Sequence, residues 1–327
     1  MPPALQTSSG RVPVIAVVMP CYRVADEVLG VIRKIGPEVT WIFVVDDACP
    51  EGSGRRVQAE CADHRVQVLF HDRNQGVGGA TLTGYRRALD AGAEIVVKVD
   101  GDGQIDPALI PALVAPIARG EADYVKGNRF YDLEGLMEMP KLRLVGNLIL
   151  SFASKMSSGY WNVFDPTNGF TALHAAAARA LPFGKISRRY FFESDMLFRL
   201  YLARAVVTDI PMRARYGNEK SSLRIADVIA EFLVKHCINT AKRIFYMYFL
   251  RDFTIASVEL VLGVVLFLFG VVFGALKWSE SFATGVPATA GTVVLAALPI
   301  LVGVQLLLAF LSFDIRNVPQ RPLHRSG

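Results

Sequence analysis

Near its C-terminal end this chain carries two long runs that are almost wholly apolar, residues 254–276 and 288–313. Nothing else in the sequence constrains the fold as tightly. Inside a bilayer a segment must satisfy its own backbone polar groups, so such a run can only be a helix. At about 1.5 Å per residue, about 20 residues cross a hydrocarbon core of about 30 Å. The segment between the runs holds one basic residue, Lys277. Lys220, Arg224, Lys235, Lys242, Arg243 and Arg251 precede the first run, and Arg316, Arg321 and Arg325 follow the second. Positive charge stays on the cytoplasmic side. The expectation is an integral protein of the inner or plasma membrane, with the large N-terminal part and the 314–327 tail both cytoplasmic. Glu259 lies in the first run, within two turns of its end, where it can snorkel or meet a second copy; a homo-oligomer is expected.

The apolar runs explain a hydrophobic share of 52% and a mean hydropathy of +0.34, both high for a soluble enzyme. What remains divides into a polar leader (1–12), a globular part (13–222) and an amphipathic stretch (223–253). In that stretch Ile225, Val228, Ile229, Phe232 and Leu233 share one helical face, while Arg224, Asp227, Glu231 and Lys235 share the other. It reads as a helix lying in the membrane plane or packed on its own domain. A net charge of +5 suits an anionic membrane surface or phosphorylated substrates; nucleic acid would want a denser basic patch and is not an expected partner. The cysteines (Cys21, Cys49, Cys61 and Cys237) are far apart, with no Cys-x-x-Cys, and read as reduced thiols. No long apolar stretch precedes the first strand, so no signal peptide is expected.

Within the globular part, β-branched runs at 14–19, 41–45, 66–70, 95–99, 123–126 and 206–211 alternate with helical patterns. That alternation predicts an α/β fold with a mainly parallel, doubly wound sheet. The 95–99 run ends in Asp100-Gly-Asp-Gly-Gln104. Residues two apart on an extended chain point the same way, so Asp100 and Asp102 can face one site at a carboxyl strand end. With the Gln104 amide oxygen they offer hard donors suited to Mg²⁺ or Mn²⁺ shared with a substrate phosphate. A solvated acidic turn is the plainer alternative. Two more strand ends are expected at the same edge: Asp46-Asp47, able to accept hydrogen bonds from a base or ribose, and Asn74–Ala80. The glycines at 76, 78 and 79 would let a ligand approach the positive end of a helix. Gly76-x-Gly-x-x-Thr81 half-matches a dinucleotide fingerprint, but its third glycine is missing and it follows the third strand, not the first.

Four segments together resemble the family-2 glycosyltransferases of the GT-A fold: Val18-Met-Pro-Cys-Tyr22, Val45-Asp-Asp47, Asn74-Gln-Gly-Val-Gly-Gly-Ala80 and Asp100-Gly-Asp-Gly-Gln104. With two C-terminal spans, the chain is most similar to the polyisoprenyl-phosphate glycosyltransferases, such as dolichol-phosphate mannose synthases and undecaprenyl-phosphate sugar transferases. The resemblance implies a nucleotide sugar donor, a polyprenyl phosphate acceptor, a divalent metal and inverting transfer of a single sugar at the cytoplasmic face. It also implies that Pro20, Tyr22 and Asp47 hold the nucleoside, and that Asp100, Gly101, Asp102 and Gln104 hold metal and diphosphate. Arg129 would lie near the donor, the 165–170 loop on the acceptor side, and Arg215 and Lys220 at phosphates beside the membrane. Asp195, in the first turn of a predicted helix, would face the anomeric carbon as a catalytic carboxylate; a helix-dipole role would explain it equally well. The chain departs from the family at Arg23-Val24, where Asn-Glu is usual. Two other readings are a processive polysaccharide synthase and a membrane scaffold with a decayed site. Neither Trp41, Trp161 nor Trp278 follows an arginine, against the synthase motif Gln-x-x-Arg-Trp, and the intact Asp100, Asp102 and Gln104 argue against decay.

Overall fold

The computed structural model describes residues 11–131, 141–166, 168–212 and 225–325. They form two compact units, Met1–Thr240 with Pro319–Gly327, and Ala241–Val318.

The first unit is built on strands β1 (Ile15–Cys21), β2 (Trp41–Asp46), β3 (Val66–Phe70), β4 (Ile95–Lys98), β5 (Tyr124–Asn128), β6 (Thr171–His174) and β7 (Val207–Pro211). Helices α1 (Val28–Ile32), α2 (Ser53–Glu60), α3 (Val77–Asp90) and α4 (Ile110–Ala118) follow β1 to β4 in turn. After β5 come α5 (Lys141–Ser158), α6 (Ala175–Ala180) and α7 (Phe192–Leu202). The strand order is β3-β2-β1-β4-β6-β5-β7. Every residue of β1 is buried, as expected of a central strand covered on both faces. Four of the six pairings are parallel; β6 runs antiparallel to both β4 and β5, so the sheet is mixed. The order reverses at β1, which places the ends of β1 and β4 side by side at a topological switch point.

The last residues return to this unit. Asp123, just before β5, accepts from the Leu323 N–H (2.9 Å) and pairs with His324 Nδ1 (2.8 Å), while the His324 ring stacks on His174 at 4.1 Å. Part of the 314–327 stretch, expected as a cytoplasmic tail, thus packs on this unit.

Helix α8 (Ile225–Phe245) runs on into a π-helical turn, Tyr246–Arg251. In the second unit, α9 (Ile255–Thr284) and α10 (Ala290–Arg316) are long and apolar enough to cross a membrane. They pack closely where side chains vanish: a Cβ on Gly270 would lie 2.6 Å from Ile300, and one on Gly303 2.6 Å from the Phe267 nitrogen. The first apolar helix continues past the expected end at 276, through Lys277 and Glu280, which pair at 2.6 Å, to a left-handed stop at Gly285. Arg243 and Asp314 form a fully buried ion pair in this unit (2.6 Å), joined by the Tyr248 hydroxyl at 2.6 Å.

Candidate active site

The strand ends expected to converge on one site differ sharply in what occupies them. At the end of β2, the Asp46 carboxylate accepts from Cys49 N–H (2.7 Å) and Gly54 N–H (2.6 Å), which ties down the start of α2. Asp47 is likewise enclosed. It accepts from Gln75 N–H and Gly76 N–H, both at 2.8 Å, and meets His71 Nδ1 at 2.7 Å. The amides leading into α3 thus have a carboxylate already.

The glycines of that start admit the chain itself where a ligand was expected. A Cβ on Gly76 would lie 2.6 Å from the Arg188 carbonyl oxygen, and one on Gly78 would lie 2.6 Å from that of Ser187. Gly79 N–H donates to Arg188 O at 2.9 Å. The small residues are needed because the segment before α7 lies on them.

The end of β4 is different. Lys98 is buried within the sheet, its ammonium directed to Asp100 Oδ1 at 2.7 Å, Glu193 Oε1 at 3.4 Å and the Gly169 carbonyl at 3.3 Å. Burial works against that ammonium, but the carboxylates of Asp100 and Glu193 outweigh it and raise its pKa. Asp100 keeps 30% of its side chain exposed, whereas Lys98 keeps 1%. Asp102 and Gln104 come next in the turn, half-buried, with Gln104 N–H donating to Asp102 Oδ1 at 3.1 Å. A Cβ on Gly169 would come within 2.4 Å of Asp100 Oδ2, so that position keeps room beside the carboxylate. Gly101 is buried against Cys21 and Val24. Pro20 is buried in β1, and Tyr22 stands 43% exposed next to this end with the Arg23 guanidinium 5.5 Å from its ring centre. Arg23 has φ +59°, a conformation that asparagine adopts more readily.

These residues fit a divalent cation of a particular kind. Among the described residues no group of three or more His, Cys, Asp or Glu side chains surrounds a metal position. A pair of partly exposed carboxylates suits Mg²⁺ or Mn²⁺, which keeps waters and takes its remaining ligands from a substrate diphosphate. Asp100 and Asp102 would hold it.

On the other side of Lys98, Asp165 and Asn168 are buried. Asp165, at φ +48°, accepts from Arg129 Nε and Nη2, both at 2.7 Å, and from Arg129 N–H at 3.1 Å. Burial tends to raise the Asp165 pKa, and the guanidinium more than offsets it, leaving the carboxyl below the usual range. Arg129, expected beside the donor, pairs with Asp165 of the 165–170 loop. Buried Lys126 donates to the carbonyls of Asp165 and Asn168 (3.4 Å to the latter), its pKa pushed down to about 8 by burial. Asp195 is also engaged: one oxygen accepts from Ser187 N–H (2.8 Å), the other from Asn239 Nδ2 (3.1 Å). Glu193, two residues earlier on α7, is the carboxylate that reaches the Lys98–Asp100 pair. Arg215 and Lys220 lie outside the described residues.

Residues 16–181 match the family model "Glycosyl transferase family 2". The chain belongs to glycosyltransferase family 2. The matched region runs from β1 to the end of α6 and includes Asp47, Asp100–Gln104 and Arg129; Glu193 and Asp195 lie beyond it. The chain is 33% identical over 170 residues to a UDP-N-acetylglucosamine–dolichyl-phosphate N-acetylglucosaminyltransferase of Methanococcus voltae, covering 52% of this chain and 67% of that one. It is 32% identical over 186 residues to an undecaprenyl-phosphate mannosyltransferase of Micrococcus luteus, covering 56% and 75%. In fold it is similar to glucosyl-3-phosphoglycerate synthase of Mycobacterium tuberculosis, solved with Mn²⁺, UDP and glucosyl-3-phosphoglycerate; the TM-score is 0.52 at 20% identity, over 71% of this chain and 80% of that one. Its GT-A-like sheet is thus a family-2 domain whose named relatives transfer sugars to polyprenyl phosphates.

Lys98 carries no role in the sequence reading, although a lysine inside an apolar strand, two residues before Asp100, is a usable signal.

Proposed function

We propose that this protein transfers one sugar from a nucleotide sugar to a polyprenyl phosphate at the cytoplasmic membrane face, with inversion at the anomeric carbon. The observation that carries the reading is the end of β4: partly exposed Asp100 beside Asp102, backed by a buried Lys98 that also reaches Glu193. The named relatives supply the substrate classes, and the fold neighbour's Mn²⁺ and UDP support a cation with a nucleoside diphosphate.

Asp100 and Asp102 would hold Mg²⁺ or Mn²⁺; when bound, the cation offsets charge on the departing diphosphate. Pro20 and Tyr22 border the donor position, and Asp47 shapes it from behind by fixing the start of α3. The acceptor phosphate is already ionised, so it needs orientation rather than deprotonation. One of its oxygens forms the new bond to the anomeric carbon as the bond to the nucleoside diphosphate breaks, and the diphosphate leaves with that electron pair. We assign the facing carboxylate to Glu193 and give Asp195 the task of holding the first turn of α7. Arg215 and Lys220 remain our candidates for the acceptor phosphate.

The membrane assignment draws on α9 and α10 and on the arginine and lysine asymmetry around them. Docking of Leu323 and His324 on Asp123 supports one sidedness for the domain and the C-terminal segment. The test is to reconstitute the full chain with undecaprenyl phosphate, offer a panel of nucleotide sugars with Mg²⁺, and weigh the lipid. A product one sugar heavier is expected; polymer, or free sugar with unchanged lipid, would overturn the reading.

A further inference from the structure

Lys98 is an unusual residue for the strand that carries it. β4 is central in the sheet; Lys98 is in register with Val18 of β1 and Thr171 of β6, and both of these are buried. A charge in such a place is costly unless other charges and hydrogen bonds meet it. Its chain neighbours are Val97 and Val99, and an apolar residue between them would complete the strand without that cost. Buried ion pairs are often replaced by apolar groups at no loss of stability. The partners of Lys98 therefore explain why the charge is tolerated, and its purpose has to be sought in what it touches.

Side chains two apart on a strand share a face, so Lys98 and Asp100 lie together. The ammonium takes Asp100 Oδ1 at 2.7 Å. The other carboxylate oxygen, Oδ2, has no hydrogen-bond partner among the described residues. It lies on the side of Gly169, where a Cβ would come within 2.4 Å of it and 2.5 Å of the Lys98 nitrogen. A side chain at 169 would strike both groups, so glycine is what lets them meet there. The same ammonium lies 3.4 Å from Glu193 Oε1 and donates to the Gly169 carbonyl at 3.3 Å. It thus joins the end of β4, the loop before β6 and the first turn of α7. Lys126 on β5 is a useful contrast: it is equally buried, and its hydrogen bonds go to the carbonyls of Asp165 and Asn168.

An ammonium beside a carboxylate weakens that carboxylate's hold on any further cation. One neighbouring charge moves the proton affinity of a carboxylate by about 10- to 1,000-fold, and a metal ion feels the same field.

We propose that Lys98 is a positioning residue of the cation site: it fixes Asp100 so that Oδ2 is the oxygen offered, ties that carboxylate to Glu193, and keeps affinity for a bare cation low until a diphosphate adds negative charge. This rests on the reading of Asp100 and Asp102 as the cation site, and the experiment separates the two. Mn²⁺ is titrated into the full chain in a neutral detergent, with and without UDP, and free Mn²⁺ is read by electron paramagnetic resonance beside a thermal scan. Lys98→Met keeps the length of the side chain and removes its charge. It should bind Mn²⁺ alone at least about tenfold more tightly than the unsubstituted protein, and UDP should then add less. Glu193→Gln leaves the ammonium to Asp100 and should weaken Mn²⁺ binding in the presence of UDP several-fold. A merely structural lysine predicts neither shift, since its loss would lower the melting temperature and leave the site unchanged or weaker. Unchanged or weaker binding of Mn²⁺ alone by folded Lys98→Met overturns the proposal, as does a gain that survives addition of Asp102→Ala. Should Lys98→Met fail to fold, Glu193→Gln decides, and unchanged or tighter binding there overturns the proposal. Equal binding of Mn²⁺ with UDP by the unsubstituted protein and by Asp102→Ala overturns the cation-site reading beneath it.

Discussion

Two acidic strand ends of the same sheet, closely alike in sequence, have opposite fates. At the end of β2, Asp46 and Asp47 are both turned into the protein and take up the backbone amides of Cys49 and Gly54, before and within α2, and of Gln75 and Gly76, just before α3. At the end of β4, Asp100 and Asp102 remain partly exposed, and the main partner of Asp100 is a lysine side chain. The first end is closed by the chain, and the second stays partly exposed. The difference lies in the local structure beyond each strand. Beside the end of β2 lie the approaches to α2 and α3, whose N–H groups need an acceptor. After β4 comes a Gly-punctuated turn, and the nearest helical start is served by its own cap, Asp106, which accepts from Ala108 N–H. An acidic pair at a strand end therefore signals either a cap or a ligand site, and the demand for acceptors nearby decides which.

The sharpest way to break this contrast is to exchange the consequences of substitution. Asp102→Ala should lower transfer by about 100- to 1,000-fold, the scale of losing one preorganised charge-stabilising group, while the melting temperature stays nearly constant. Steady-state kinetics beside a thermal scan check it. Asp47→Ala should do the opposite first: it strips the acceptor from Gln75 N–H, Gly76 N–H and His71, and should cost about 3 kcal/mol of stability in a denaturant titration. If Asp47→Ala melts normally but loses nucleotide binding, both ends are ligand sites and the contrast fails.

The end of β5 belongs with the closed class, and acid should show it. Asp165 has a pKa below its unfolded value of about 3.9. The unfolded chain therefore binds the proton first, and the stability from the Arg129 pair is present above that value and lost as pH falls through the native one. Asp165→Asn should remove about 1.5–3 kcal/mol at neutral pH and flatten the part of the acid-side slope that Asp165 contributes. An unchanged slope would put the pair outside the stability account.

Asp195→Asn should give the smallest effect. Its carboxylate serves Ser187 N–H and Asn239 and lies 3.7 Å from Arg199 Nε; an amide oxygen can keep one of the hydrogen bonds, so stability should fall by about 0.5–2 kcal/mol with most turnover preserved. Glu193→Gln should instead cost turnover with little loss of stability. A turnover loss for Asp195→Asn as large as for Glu193→Gln would return Asp195 to the reacting centre.

Much of the fold was legible because it is written in local pattern. The β-branched runs at 14–19, 41–45 and 66–70 became strands within a residue or two, and the apolar runs became α9 and α10. The antiparallel insertion of β6 was not legible, since a four-residue strand after a loop carries no sign of direction. At the candidate site, the apolar run before Asp100 marked a strand, and β4 does end just before Asp100 and Asp102. The fate of the glycines was hidden: Gly76 and Gly78 are small to admit Ser187 and Arg188, more than a hundred residues away, and spacing alone cannot tell a backbone from a ligand. Arg129 and Asp165 were each singled out, but their mutual bidentate pairing is a long-range contact that composition does not encode.

The most direct measurement of the open strand end is cation binding without turnover. Mn²⁺ bound to the reconstituted full chain can be followed by electron paramagnetic resonance in the presence and absence of a nucleoside diphosphate. Bound Mn²⁺ should appear with the diphosphate, be lost in Asp102→Ala, and persist in Asp47→Asn, in which most of the contacts leading into α3 can be kept. Retention of the signal in Asp102→Ala, with loss in Asp47→Asn, would contradict it.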